Sequence, residues 1–208
     1  MAAESDIESG NAYFKKKQSK NTIEEDNKPL IKEYSLKIVV AGDGGVGKTC
    51  LLNRYISNTF LTQLKMTIGS DFFSKVMHSD DNVIKLQLWD FGGEKRFRFL
   101  LPSYCKGASG VILVFDLTDF KSLMNLEEWL QLVREHTKDP ILILVGTKAD
   151  VAESCEADFI HEFCKKNGIE KFIPTSAKTG ENIERIFQEL VKLILEKIKR
   201  KRVLGVVY

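Results

Sequence analysis

The chain has 208 residues, enough for one ordinary domain or a domain with a tail, and too few for two large ones. Hydrophobic residues make up 43% and charged residues 29%, so a full core can form without disulfides or a structural metal. Lys and Arg number 31 against 29 Asp and Glu, and a formal charge of +2 gives no electrostatic ground for binding nucleic acid.

The four cysteines, Cys50, Cys105, Cys155 and Cys164, are scattered and form no C-x-x-C pair, which fits reduced thiols better than a stapled secreted scaffold. No apolar run approaches the roughly 20 residues that cross a bilayer. The acidic start has no apolar segment of the kind a secretion signal needs, and position 2 is Ala, not the Gly that myristoylation requires. These features predict a soluble, cytoplasmic protein.

Residues 1–34 carry few apolar side chains among Glu, Asp, Lys, Asn and Ser, and predict a flexible extension with Lys15-Lys16-Lys17 solvated. Residues 36–41 read as a strand ending in a Gly-rich turn, and 48–57 as the first helix. The alternating segments 71–78 and 83–89 are joined through Ser79-Asp80-Asp81-Asn82, a hairpin signal. The continuous apolar runs 111–115 and 141–145, and the shorter 171–173, suit strands covered on both faces. Helical periods occupy 120–138, 155–167 and 181–199, the last with Ile183, Ile186, Phe187, Leu190, Ile194 and Ile198 on one stripe. Alternating strands and helices predict an α/β fold, a mostly parallel sheet with helices on both faces.

Gly42-Asp43-Gly44-Gly45-Val46-Gly47-Lys48-Thr49 fits G-x-x-x-x-G-K-[ST] between the first strand and the first helix. Its glycines let backbone N–H groups turn inward on phosphate oxygens, beside the positive end of a helix. Lys48 reaches the terminal phosphates and the Thr49 hydroxyl can ligate Mg²⁺. The motif is a P-loop, and by itself chooses neither ATP nor GTP.

That choice rests on Gly146-Thr147-Lys148-Ala149-Asp150, at the end of the fifth strand. A carboxylate at Asp150 can accept two hydrogen bonds from guanine, where adenine would leave it unpaired at a cost. The Lys148 stem can cover one face of the base. Thr175-Ser176-Ala177-Lys178 follows the sixth strand, where the Ala177 N–H could meet the guanine O6.

From about residue 35 to 199 the chain resembles the Ras-superfamily small GTPases, closest to the Rab type. Thr67-Ile68-Gly69-Ser70-Asp71-Phe72 is similar to Rab switch I, and Lys85-Leu86-Gln87-Leu88-Trp89-Asp90 with Gly93 to the approach to switch II. Tyr104-Cys105-Lys106-Gly107-Ala108 and Phe115-Asp116-Leu117-Thr118 are further Rab-like segments. The resemblance implies a six-stranded G domain over 35–199 with one antiparallel edge strand, and a short basic and apolar tail over 200–208. It implies that GTP or GDP is held by Gly44, Gly45, Val46, Gly47, Lys48, Thr49, Cys50, Phe60, Thr67, Gly93, Thr147, Lys148, Asp150, Ser176, Ala177 and Lys178. Thr49, Thr67 and Asp90 would hold Mg²⁺, Thr67 only in the triphosphate state. The Gly93 N–H would meet the γ-phosphate, and Phe60 would pack on guanine. Effectors, exchange factors and activating proteins would read the switch surfaces, including Phe72, Trp89 and Tyr104, of a monomer.

Three departures stand out. Thr147 replaces the usual Asn, and Phe91-Gly92 the usual Thr-Ala. Glu94 occupies the place of the Gln that orients the attacking water. A carboxylate can accept a bond from that water but has no amide N–H to donate to the phosphoryl, so Lys48, Thr67, Gly93 and Glu94 predict slow hydrolysis. Gly44 leaves room for an arginine finger from a partner. Two other readings stay open: a GTP-bound scaffold with little hydrolysis, and a metabolic P-loop phosphotransferase.

His78, His136 and His161 have no ligand spacing, and Asp80-Asp81 reads as a turn. The basic cluster Lys197-Ile198-Lys199-Arg200-Lys201-Arg202 reads as a solvated helix end, with weak attraction to anionic lipid as the functional alternative. The last six residues contain no Cys, which predicts no prenylation and, at most, peripheral membrane contact.

Overall fold

The computed structural model describes residues 32–60, 66–153 and 156–205. The expected extension up to residue 31, Cys155 and the last three residues lie outside the described residues.

Strand β1 (Lys32–Ala41) begins within the stretch assigned to the extension, because Lys32, Glu33 and Tyr34 already pair with Asn82, Val83 and Ile84. Helix α1 (Lys48–Ser57) has the bounds its periodicity predicts. Strands β2 (Ser70–Ser79) and β3 (Asn82–Phe91) form the expected antiparallel hairpin, and Asp80 takes the left-handed turn position at φ 50°. A 3₁₀ segment (Lys95–Leu100) and the short helix α2 (Leu101–Cys105) follow. Then come β4 (Gly110–Asp116), α3 (Phe120–Met124), α4 (Leu126–His136) and β5 (Ile141–Thr147). The chain continues through α5 (Ala157–Lys166), β6 (Lys171–Pro174) and α6 (Ile183–Val203).

The six strands lie in the order β2-β3-β1-β4-β5-β6, parallel except for the β2–β3 pair. Alternation along the strands sends side chains into two cores. Ile38, Val40, Ile112, Val114, Ile143 and Val145 pack under α1 and α6 with Leu52, Phe187 and Leu190. Val39, Ala41, Val111, Leu113 and Leu144 point the other way, onto Leu101, Trp129, Leu130 and Phe163. At about 25 cal/mol per Å², burial on both sheet faces supplies the main driving force.

Two helix expectations are corrected. The period over 120–138 is two helices meeting at Asn125, where Asp119 caps the first by accepting a bond from the Lys121 N–H at 3.1 Å. Helix α6 runs four residues past 199, so residues 200–203 of the expected tail are helical, and Asp139 holds Lys197 and Lys201 at 2.7 and 3.3 Å.

Candidate functional site

Strand β1 is central, and the helices that follow β1 and its neighbour β3 pack on opposite faces of the sheet, so a crevice opens beyond the carboxyl ends of the strands. The P-loop lies there. Gly42, at φ 147°, passes so close to β4 that a Cβ would stand 2.1 Å from the Val114 carbonyl oxygen. Gly47 is the left-handed N-cap of α1, at φ 97°. No acidic residue occupies the first turn of α1, so its N–H groups form a positive, uncapped end. Lys48 is buried and its ammonium donates to the Gly42 and Asp43 carbonyls at 2.9 and 2.7 Å. Burial lowers its pKa to about 8, against the pull of Asp90 and Asp43. One cleft is lined by Gly44, Gly45, Gly47, Lys48, Thr49, Cys50, Thr67, Gly93 and Glu94, together with Met66. Val46 differs: its side chain is core, so only its backbone can face a ligand.

The three residues proposed for Mg²⁺ come from three separate elements and meet. The Thr49 hydroxyl donates to Asp90 Oδ2 at 2.5 Å and lies 2.8 Å from the Thr67 hydroxyl, which is itself 3.5 Å from the same carboxylate oxygen. Asp90 Oδ1 is buried without a hydrogen-bond partner. Burial raises the Asp90 pKa, opposed by the Thr49 bond and the Lys48 charge. An oxygen cluster with an orphaned, desolvated carboxylate oxygen fits a hard divalent cation such as Mg²⁺.

The proposed base-binding residues assemble beyond β5 and β6. Ser176 Oγ donates to Asp150 Oδ1 at 2.6 Å, and Lys178 lies 3.7 Å from Oδ2. The Ser176 bond, with Lys178 behind it, holds the Asp150 pKa below the ordinary carboxylate range. Lys148 sits in the left-handed region at φ 60° and its ammonium pairs with Asp116 at 2.5 Å. Thr147 is buried and its single hydroxyl proton is shared between the Val46 and Phe115 carbonyls, at 2.5 and 3.0 Å. Thr147 is thus a tie between the P-loop and β5. Phe60 is 38% exposed and outside both cores, so it is not an ordinary core aromatic.

Packing accounts for Phe91 and Gly92. Phe91 is buried against Trp129 and Tyr104, at 6.0 and 5.9 Å between ring centres. Gly92 leaves room for switch I, since a Cβ there would lie 2.7 Å from the Thr67 carbonyl oxygen. Gly93 abuts the P-loop, 2.1 Å from the Gly44 nitrogen by the same construction, whereas a Cβ on Gly44 meets nothing within 4 Å. Phe72, Trp89 and Tyr104 form one aromatic chain, with ring centres 5.0 and 5.1 Å apart and Phe72 53% exposed.

Sequence reasoning missed two groups. Asp43 accepts bonds from Asn125 Nδ2 at 2.6 Å and Trp129 Nε1 at 2.9 Å, with Arg98 3.6 Å away. Arg96 grips Glu94 with Nε at 2.6 Å and Nη2 at 3.1 Å. Their partners lie too far apart in sequence, or too close for any period, to leave a signal.

A P-loop after the central strand, with the Thr49, Thr67 and Asp90 oxygens and the Asp150–Ser176 pair at the same sheet edge, is the arrangement of a G domain. A model of the Ras family matches residues 37–196. The chain is 42% identical over 173 residues to the Ras-related protein SEC4 of Saccharomyces cerevisiae, covering 82% of this chain and 80% of that protein. It is 41% identical to RABE1e of Arabidopsis thaliana over 170 residues, 80% and 78% of the two chains. Against Rab-4 of Dictyostelium discoideum the identity is 41% over 174 residues, 82% and 83%. The chain belongs to the Ras family: it is a small GTPase, a guanine-nucleotide switch of the Rab-like kind. GTP or GDP with Mg²⁺ is its ligand class, and the phosphotransferase reading falls away. Among the described residues no helix is long and apolar enough to cross a membrane.

Proposed function

We propose that this chain cycles between GDP and GTP in a Rab-like trafficking role, in the cytoplasm and at the surface of a membrane. The meeting of Thr49, Thr67 and Asp90 carries this reading. Thr49 comes from the P-loop helix, Asp90 from β3 and Thr67 from the segment that precedes β2, so one cation would tie switch I to the nucleotide. Mg²⁺ held there would neutralise phosphate charge. Lys48 would hold the terminal phosphates, Gly93 would present its N–H to the γ-phosphate, and Asp150 with Ala177 would select guanine under Lys148 and Phe60. Cys50, Ser176 and Lys178 would complete the walls. Glu94 would accept a hydrogen bond from the attacking water and support slow hydrolysis. The half-exposed Phe72 with Trp89 and Tyr104 would face effectors, and exchange factors and activating proteins would act at the switches of a monomer.

Thr67 makes its contact only with the triphosphate state in this reading, so it biases the equilibrium of switch I. Thr67→Ala should bind GDP normally and fail to order residues 66–69 around a GTP analogue. Hydrogen exchange of that loop in both nucleotide states measures this. A wild-type GTP–GDP difference in the mutant would remove Thr67 from the sensor role.

A further inference from the structure

Glu94 poses a charge problem. It lines the same cleft as Lys48, Thr49 and Gly93, which puts a negative side chain at the border of the region where terminal phosphates would lie. A second negative group there opposes both GTP binding and the charge that develops on phosphoryl transfer. A neutral Gln at this position would carry no such penalty.

Arg96 answers it within the same turn of chain. Its Nε and Nη2 take the two carboxylate oxygens of Glu94 side-on, at 2.6 and 3.1 Å. The guanidinium also lies 4.8 Å from the Phe97 ring centre, which restrains it further. A forked pair of this kind fixes the carboxylate plane and cancels its charge. Each carboxylate oxygen keeps a lone pair free for a water, while the guanidinium has five N–H donors and spends two on the fork. An acceptor and a donor, which a Gln amide would join in one group, are here split over two side chains.

We propose that Arg96 is a positioning residue for Glu94, holding its carboxylate in place for the attacking water and cancelling its charge beside the terminal phosphate. This rests on the reading of Glu94 as the water-orienting group. The pair is an internal substitute for glutamine. Arg96 is mostly exposed, so its replacement leaves the cores untouched.

Single-turnover GTP hydrolysis at saturating Mg²⁺ tests the proposal in the full chain with Arg96→Ala, Arg96→Lys, Glu94→Gln, Glu94→Ala and the double variant Glu94→Gln/Arg96→Ala. Arg96→Ala should slow hydrolysis about tenfold and weaken a non-hydrolysable GTP analogue relative to GDP. Arg96→Lys, which keeps the charge without the fork, should fall between. In the Glu94→Gln background, removing Arg96 should change the rate less than about twofold, because a neutral amide needs no partner. Unchanged hydrolysis in Arg96→Ala overturns the proposal, as does an equal loss in both backgrounds. Wild-type hydrolysis in Glu94→Ala instead overturns the underlying reading of Glu94 and favours a GTP-bound scaffold. A lower rate in Glu94→Ala with none in Arg96→Ala overturns the pair alone.

Discussion

Asp150 shows what one residue can decide. Its carboxylate is held by the Ser176 hydroxyl and approached by Lys178, so it stays ionised at neutral pH as a pure acceptor. Guanine offers two donors to such a group and adenine does not. Asp150→Asn should therefore weaken GTP by about 10-fold or more and favour a 2-oxo purine such as xanthine, read by competition among GTP, XTP and ATP. An unchanged preference for GTP would contradict this assignment. The position of Asp150 and Lys148 just beyond a strand end was legible in the sequence, because a short string places them without help from distant residues. The role of Thr147 was not: its hydroxyl reaches Val46, 101 residues earlier, across the junction of two elements. Sequence spacing says nothing of that bond. The arginine that grips Glu94 left no signal in the sequence.

Between elements, Asp43 joins the P-loop to the start of α4 through Asn125 and Trp129. Arg98 closes the set from the 3₁₀ segment, 3.6 Å from Asp43 and 2.5 Å from Glu128, with its guanidinium 4.6 Å from the Trp129 ring centre. The second P-loop residue thus touches both switch II and the helix beside it. Asn125→Ala removes a donor from a partly buried carboxylate, and should cost about 1–3 kcal/mol. Thermal unfolding should show a Tm lower by roughly 2–4 °C for each kcal/mol, together with faster nucleotide loss. An unaltered melting curve would show that the contact carries no stability. The missed 3₁₀ segment has a physical reason too. Lys95-Arg96-Phe97-Arg98-Phe99-Leu100 alternates charged and apolar residues at a period no helix shares. Side-chain contacts to α4, and not propensity, set its shape.

At the scale of the molecule, the alternation of strand residues builds both cores at once. Leu36, Ile38 and Val40 face α1 and α6 while Val39 and Ala41 face α4 and α5, so a one-residue slip of β1 would exchange the two sets. That alternation, with helical periods between strands, made the parallel sheet and its two helix layers readable from sequence. The antiparallel β2 edge followed from the hairpin turn at Asp80-Asp81. Strand and helix ends were less readable: β1 gains Lys32 to Tyr34 by pairing with β3, and α6 gains residues 200–203 beside Asp139, both through distant partners.

Guanine nucleotide with Mg²⁺ is the ligand that the whole arrangement at the carboxyl edge of this sheet would select. The most direct measurement is the identity and amount of nucleotide retained after gentle purification in Mg²⁺-containing buffer, read by chromatography of the released small molecules. GDP or GTP in near-stoichiometric amount, released when Mg²⁺ is chelated, is the predicted result. An adenine nucleotide in that place, or a protein that retains none and binds GTP no better than ATP, would contradict it.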